Sequence, residues 1–363
     1  MKENKLFKKT ILYDNHIQLG AKIISYSGYY MPLQYFSSLK EHMAVRNSIG
    51  LFDISHMGKF ILEGINSNNL LQYLTSNDVS KIKPNQAQYS CLINHYGGII
   101  DDLIIYKISE KKFLLIVNAI NIEKNKIWIK KYIKNNINFI DVTQEYSLLS
   151  IQGPKTFKLI QKLTNIPLNK IPYFHFKIGK FAGINNIFIS NTGYTGSSGI
   201  EIYIHNKYAK KIWNEILSTN LSIIPCGIAS RDSLRLEMGY RLYGKDISEE
   251  TSPIEAGLSW ITKFNKKFIA KKILQKQKKK GTKKKFISFI IEKEKVIPRS
   301  GYLLKNKNNC IIGKVTSGNF SPILKKGIGL AYIENNHQLN HIFFTKKNKN
   351  IPIKLVKLPF IQI

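Results

Sequence analysis

Two regimes of hydrophobic patterning constrain what this 363-residue chain can fold into. Before the lysine-dense stretch 276–285, strand-like and helix-like signals alternate. Lys59-Phe60-Ile61-Leu62, Asp102–Ile108 and Phe113–Asn118 are short runs rich in branched apolar residues, the pattern of strands. Ile122–Ile133 and Pro154–Leu163 predict helices, the second opening with a proline where a backbone N–H is not needed. Gly183–Tyr203 predicts a hairpin, and Tyr208–Leu217 and Ile228–Met238 further helices. The run Gln275–Lys285 has no apolar face and predicts a solvated linker. Beyond it lie only short strand-like pieces, Phe286–Ile291, Ile311–Thr316, Gly329–Ile333 and Ile351–Leu355. Gly, Asn and Ser turns separate them, so a separate all-β module is expected at the C-terminal end.

Composition narrows the class. A hydrophobic content of 43% and an aromatic content of 11% suit a globular protein with a full core, and the length allows two or three domains. Cys91, Cys226 and Cys310 are too few and too scattered for a disulfide framework or a metal knuckle, which fits a reducing compartment. The opening Met1-Lys2-Glu3-Asn4-Lys5 lacks a signal-peptide core, and no apolar run reaches the ~18 residues of a membrane span. A cytoplasmic protein with no membrane association is the expectation. The net charge of +33 invites a nucleic-acid reading, because basic surfaces draw affinity from phosphates. Lys, Asn and Ile are inflated together along the whole chain, and no aromatic–basic recognition motif accompanies the lysines. An acidic protein partner, steered by the positive field, is the better use of the charge.

Against that lysine background, only five of the 56 basic residues are arginine: Arg46, Arg231, Arg235, Arg241 and Arg299. Three fall within the short segment Arg231–Arg241. A guanidinium is a planar fork that can hold a carboxylate bidentately, which a lysine cannot do. Arg231 and Arg235 are one helical turn apart and share a side of the predicted helix. An ordinary surface pair of Asp232 with Arg235 accommodates Arg235 but leaves Arg231 as the better ligand contact.

Two acidic patterns stand out. Gly97-Gly98-Ile99-Ile100-Asp101-Asp102 places adjacent carboxylates where a glycine turn enters a strand. Strand alternation puts Asp102 on one face with Ile104 and Tyr106, and Asp101 on the other, so at most one of them enters a given pocket. The bland alternative is that both merely terminate the strand. In Gly199-Ile200-Glu201-Ile202-Tyr203-Ile204 the isoleucines form a core face, and Glu201 and Tyr203 share the opposite one. Such a glutamate usually faces water. The preceding loop Thr192–Gly199, with glycines around Tyr194, allows close backbone approach to a ligand and an aromatic cover for a flat ring. Ser55 and His56 are adjacent on the chain and cannot form a nucleophile–base pair on a strand. No zinc spacing, nucleophile elbow, phosphate loop or dinucleotide fingerprint is present.

Together these stretches resemble the aminomethyltransferase (T-protein) family of the glycine cleavage system. The likeness runs through Met31-Pro32-Leu33-Gln34-Tyr35, Leu51-Phe52-Asp53-Ile54-Ser55-His56-Met57, Gly97–Tyr106, Leu149–Pro154 and Gly193–Glu201. It continues through Gly227–Gly244, Ser259-Trp260, Gly313–Pro322 and Leu358-Pro359-Phe360. Related folate-binding iron–sulfur repair or tRNA-modification-type proteins, which do not transfer an aminomethyl group, are the alternative. They carry a Lys-Gly-Cys signature where this chain has Leu242-Tyr243-Gly244-Lys245-Asp246, without cysteine. Ala270 stands where the family usually has glycine.

The resemblance implies an α+β, three-lobed folate-binding aminomethyltransferase fold with a C-terminal β-barrel. The first lobe would be discontinuous, residues 1–50 and 145–270. Residues 51–144 would form an inserted second lobe carrying Asp102, 271–285 a Lys-rich linker and 286–363 the barrel. The implied reaction takes an aminomethyl group from the lipoyl arm of the H protein, moves its carbon to the co-substrate tetrahydrofolate, and releases ammonia. No metal is implied. By position, Asp102 is the implied catalytic carboxylate, Glu201 the acid that pairs with the pterin and Arg231 a folate contact. Met57, Tyr89, Asn118, Tyr194 and Trp260 would line the site.

Overall fold

The strand Gly199–His205 shows how a period of two becomes a sheet. It pairs antiparallel with Ile184–Ser190 on one side and Tyr146–Gln152 on the other, so the predicted hairpin is present. Ile200, Ile202 and Ile204 are fully buried in a core with Leu149, Ile151, Ile189 and Trp213. Each buried isoleucine contributes about 2 kcal/mol. The six-stranded sheet continues to Phe176–Phe181 at one edge. At the other, Ile49–Asp53 is followed by Ile223–Pro225, which pairs parallel to it. The helix Asn206–Thr219 lays Ala209, Ile212, Trp213 and Ile216 on this core, a stripe at helical spacing.

The computed structural model describes residues 7–134, 136–293, 296–335, 341–346 and 349–363. The described chain falls into two compact units. One comprises residues up to Asn68, Ile82–Gln88 and Ile104–Asp232; the other comprises Asn69–Lys81, Tyr89–Leu103 and Ser233–Ile363. A five-stranded sheet runs in the order Gln86–Ile93, Ile99–Ser109, Lys112–Val117, Gly58–Glu63, Asn138–Asp141. The predicted helices settle as Ile122–Lys130, Thr156–Ile160 with a tighter turn over Gln161–Leu163, and Ile228–Glu237.

The C-terminal all-β expectation holds. Lys284–Ile291, Leu303–Lys305, Ile311–Ser321, Lys326–Glu334, Phe343–Lys346, Lys349–Pro352 and Lys354–Leu355 make one seven-stranded sheet. Its core includes Phe289, Ile291, Val315, Ile333 and Phe344. The lysine-rich linker is a different matter. Lys271–Lys280 is a helix, and Lys284 and Lys285 already belong to the first barrel strand. Lysine is a good helix former. Leu274 is fully buried against Phe268 and Ile261, which anchors the helix from just before the lysine run, and Gly281 ends it at φ +85°.

Candidate functional site

In the first unit, the strand pairing sets Glu201 opposite Ser190 and Ser150. Both faces of its strand are buried, so the glutamate is not a water-facing residue; it is 8% exposed. Its Oε2 accepts a hydrogen bond from the Thr192 hydroxyl at 2.6 Å. The loop Thr192–Gly199 is held from two directions. Gln152 donates to the Thr192 carbonyl and accepts from the Thr195 hydroxyl, and Arg46 donates to the Thr195 carbonyl at 2.7 Å and to Ser197 at 3.0 Å. A side chain at Gly199 would place its Cβ 2.4 Å from the Ile151 carbonyl, so the close strand crossing requires glycine. Tyr194, half-buried at the loop tip, lies under the Arg231 guanidinium at 4.8 Å from ring centroid to Cζ. Arg231 Nη1 is buried and has no hydrogen-bond partner among the described residues. A buried charged donor without an acceptor is costly, and it suits a ligand oxygen. Gly58 pairs with Val117 at the end of a ladder, so Met57 and Asn118 emerge opposite one another just beyond it, both half-buried.

In the second unit, the turn Asn94–Gly98 is closed by the Asn94 side chain, which accepts from the N–H groups of Tyr96 and Gly98 at 2.9 Å. Gly98 permits this turn because a Cβ there would lie 1.7 Å from the Glu249 carbonyl. The strand that follows separates its two acids as alternation requires. Asp101 is completely buried, and Asp102 is half-buried with Oδ2 accepting from the Tyr89 hydroxyl at 3.0 Å. The Tyr89 ring stacks on Trp260 at 6.2 Å, and Trp260 is 63% exposed. Burial, followed by the charges of Asp102 and Asp101, pushes the neighbouring Cys91 thiol well above its ordinary pKa, so it stays protonated.

The other arginines of the cluster do structural work. Arg235 is 1% exposed and pairs with the buried Asp246: its Nη1 donates to Asp246 Oδ2 at 2.7 Å, and Nη2 donates to Ser317. Arg241 donates to the carbonyls of Ala256 and Gly239, and its Cζ sits over the Phe286 ring, 4.2 Å from the centroid. The surface-pair reading of Arg235 thus fails, because the helix turns that side inward to a buried acid. His56 is 4% exposed, packs edge-on against Tyr26, and is held neutral by burial, with a pKa lowered to about 3. Thr192, Gln152, Arg46, Tyr106 and Tyr203 support the site without having been singled out for it. In the sequence, Tyr106 shares a face with Asp102, Tyr203 shares one with Glu201, Thr192 opens the glycine loop and Arg46 is one of the five arginines, without any of them being marked as a support. Among the described residues, no group of three or more His, Cys, Asp and Glu side chains could hold a metal ion, and no helix is long and apolar enough to cross a membrane.

The GCVT N-terminal domain matches residues 12–266, and the glycine cleavage T-protein C-terminal barrel domain matches 284–362. The chain belongs to the glycine cleavage T-protein family. An aminomethyltransferase of Flavobacterium psychrophilum is 47% identical over 97% of this chain and 99% of its own length. One of Phocaeicola vulgatus is 43% identical over 97% of this chain and 99% of its own. The crystal structure of the glycine cleavage aminomethyltransferase T from Bartonella henselae superposes with a TM-score of 0.92 at 30% identity, covering 98% of each chain. The T-protein fold is therefore the fold of this chain, α+β with a C-terminal barrel domain, and its class is that of a transferase enzyme. These relatives do not favour the repair-type alternative.

Proposed function

We propose that this T protein takes the methylene carbon of an aminomethyl group on the lipoyl arm of the glycine cleavage H protein and transfers it to tetrahydrofolate. Ammonia is released and 5,10-methylenetetrahydrofolate forms. The observation that carries the reading is the near full-length match to relatives named aminomethyltransferase, through both domains of the family.

The residue roles follow from chemistry. A pterin offers adjacent N–H donors, and a carboxylate is their complement, the role of Glu201. Arg231 Nη1, a buried donor with no acceptor among the described residues, supports a contact with an oxygen of folate. Tyr194, Met57 and Asn118 give that ligand apolar and polar edges. Asp102 is the catalytic carboxylate. Transfer passes through a cationic, iminium-like carbon, which a half-buried acid stabilises while it orients the attacking ring nitrogen. The Tyr89 hydroxyl holds Asp102 Oδ2, and Trp260 on Tyr89 adds a flat surface beside it. In this reading the lobes run 1–50 with 145–270, 51–144 and 286–363. The enzyme works in the cytoplasm, in one-carbon metabolism and glycine breakdown, with an acidic carrier as its partner.

The test is ammonia release from the purified enzyme with an aminomethyl-loaded, lipoylated H protein. Ammonia is expected only when tetrahydrofolate is added. Folate binding without that turnover would overturn the proposal in favour of a repair-type role.

A further inference from the structure

Glu201 terminates a chain of buried hydroxyls. Thr192 Oγ1 lies 2.6 Å from Glu201 Oε2, Tyr106 Oη 3.1 Å from Thr192 Oγ1, and Tyr203 Oη donates to Tyr106 Oη at 2.7 Å. A hydroxyl has one proton to give. The Ser190 hydroxyl also lies 3.1 Å from Thr192 Oγ1, but the Thr192 proton goes to the acid, its shortest and charged contact, so the Thr192 oxygen accepts from Tyr106 and Ser190. The Tyr106 oxygen then accepts from Tyr203. Every proton in the chain points the same way, toward Glu201, and such one-way chains reinforce one another. The members are at most 8% exposed. Burial, with the Glu201 charge adding to it, raises the pKa of both tyrosines, so they remain donors.

The framework leaves this chain little freedom. The Tyr106 ring meets Phe188, Phe176 and Tyr203 edge-on at 5.2, 5.8 and 5.5 Å, and Phe176 stacks on Phe188 at 4.1 Å. Gln152 fixes the Thr192 main chain. The last torsion of a glutamate is intrinsically broad, so a carboxylate that must meet two coplanar donors needs something else to set its plane.

We propose that Thr192, backed by Tyr106 and Tyr203, is a positioning relay that locks the plane of the Glu201 carboxylate and makes it selective for a ring edge carrying two adjacent N–H donors. The inference rests on the pterin-pairing role of Glu201. A ring lacking one of those donors leaves a buried carboxylate oxygen short of a partner, which is how a polar site rejects an analogue.

The test uses Thr192→Val, Thr192→Ser, Tyr106→Phe and Glu201→Gln in the full-length enzyme, with circular dichroism to confirm folding. Tetrahydrofolate affinity, KM and kcat are measured, along with affinity for the 2-deamino analogue. Thr192→Val should raise tetrahydrofolate Kd and KM about tenfold, the worth of a hydrogen bond to a charged group, with kcat changed less than about threefold. Thr192→Ser should recover to within about twofold, and Tyr106→Phe, which keeps the ring, should fall between them. The preference for tetrahydrofolate over the 2-deamino analogue should shrink in Thr192→Val. If both affinities fall together and their ratio is unchanged, Thr192 is only structural and the relay is wrong. If Glu201→Gln weakens folate binding but Thr192→Val does not, the relay alone fails. If Glu201→Gln binds folate normally, the pterin role and the relay fall together.

Discussion

Arg231, Arg235 and Arg241 lie close in sequence, yet each uses its guanidinium plane differently. Arg235 forks between Asp246 and Ser317, Arg241 grips carbonyls while sitting over Phe286, and Arg231 sits over Tyr194 with one nitrogen unpartnered among the described residues. Arg231→Lys should lower folate affinity about tenfold, since lysine supplies neither the stacking plane nor the fork. Equilibrium titration checks it. Asp102→Asn can keep the Tyr89 hydrogen bond while losing the charge. It should cost roughly 10²–10⁴-fold in kcat with folate binding nearly intact, as positioned acids commonly do. Asp101→Asn should be much milder in kcat; a full-speed Asp102→Asn enzyme would end that assignment. Charge and alternation draw attention to Asp102, Glu201 and Arg231, but the roles proposed for them come from the family resemblance and not from the local pattern. Thr192 and Tyr106 were not legible, since a threonine in a loop and a tyrosine in a strand look ordinary until tertiary contact joins them across 86 positions.

Elements were most legible where one period dominates. The isoleucine alternation before His205 and the apolar stripe of Asn206–Thr219 needed no tertiary information. The Lys271–Lys280 helix was hidden because its anchor, Leu274, lies outside the charged run that suggests a linker. The helix Ser38–Asn47 escaped notice for a related reason. Its buried face includes Glu41, held by the N–H groups of Tyr35 and Gly227, and such polar burial cannot be read from hydrophobicity. At this scale the Arg235–Asp246 pair ties the end of Ile228–Glu237 to the barrel strand carrying Thr316 and Ser317, both of which donate to Asp246. Asp246→Ala should destabilise by about 3–5 kcal/mol, because it strands a buried guanidinium. Urea unfolding measures it, and a loss below about 1 kcal/mol would mean the pair is not sealed from water.

The whole molecule carries its charge as a field. If the +33 surface steers an acidic carrier, kcat/KM for that carrier should fall several-fold as ionic strength rises from about 0.05 to 0.2 M, while kcat changes little. A salt-insensitive rate would remove steering from the account. Buried lysines give the fold a pH signature. Lys59, 1% exposed, has its pKa lowered to about 7 by burial, with Asp53 and Asp141 only partly opposing the shift; Lys266 is likewise lowered to about 7 by burial. Each is depressed in the folded state, so between about pH 7 and 10.5 the unfolded chain binds more protons. Stability should therefore rise with pH through that window, and Lys59→Met should flatten the rise in denaturant titrations at pH 7 and 10.

The backbone passes from one compact unit to the other five times, once within the strand Ile99–Ser109. A protease nick inside the loop 94–98 would therefore leave pieces of both units on each side of the cut, and neither piece would own a finished hydrophobic interior. Such fragments should complement each other when mixed and precipitate or be degraded when expressed alone.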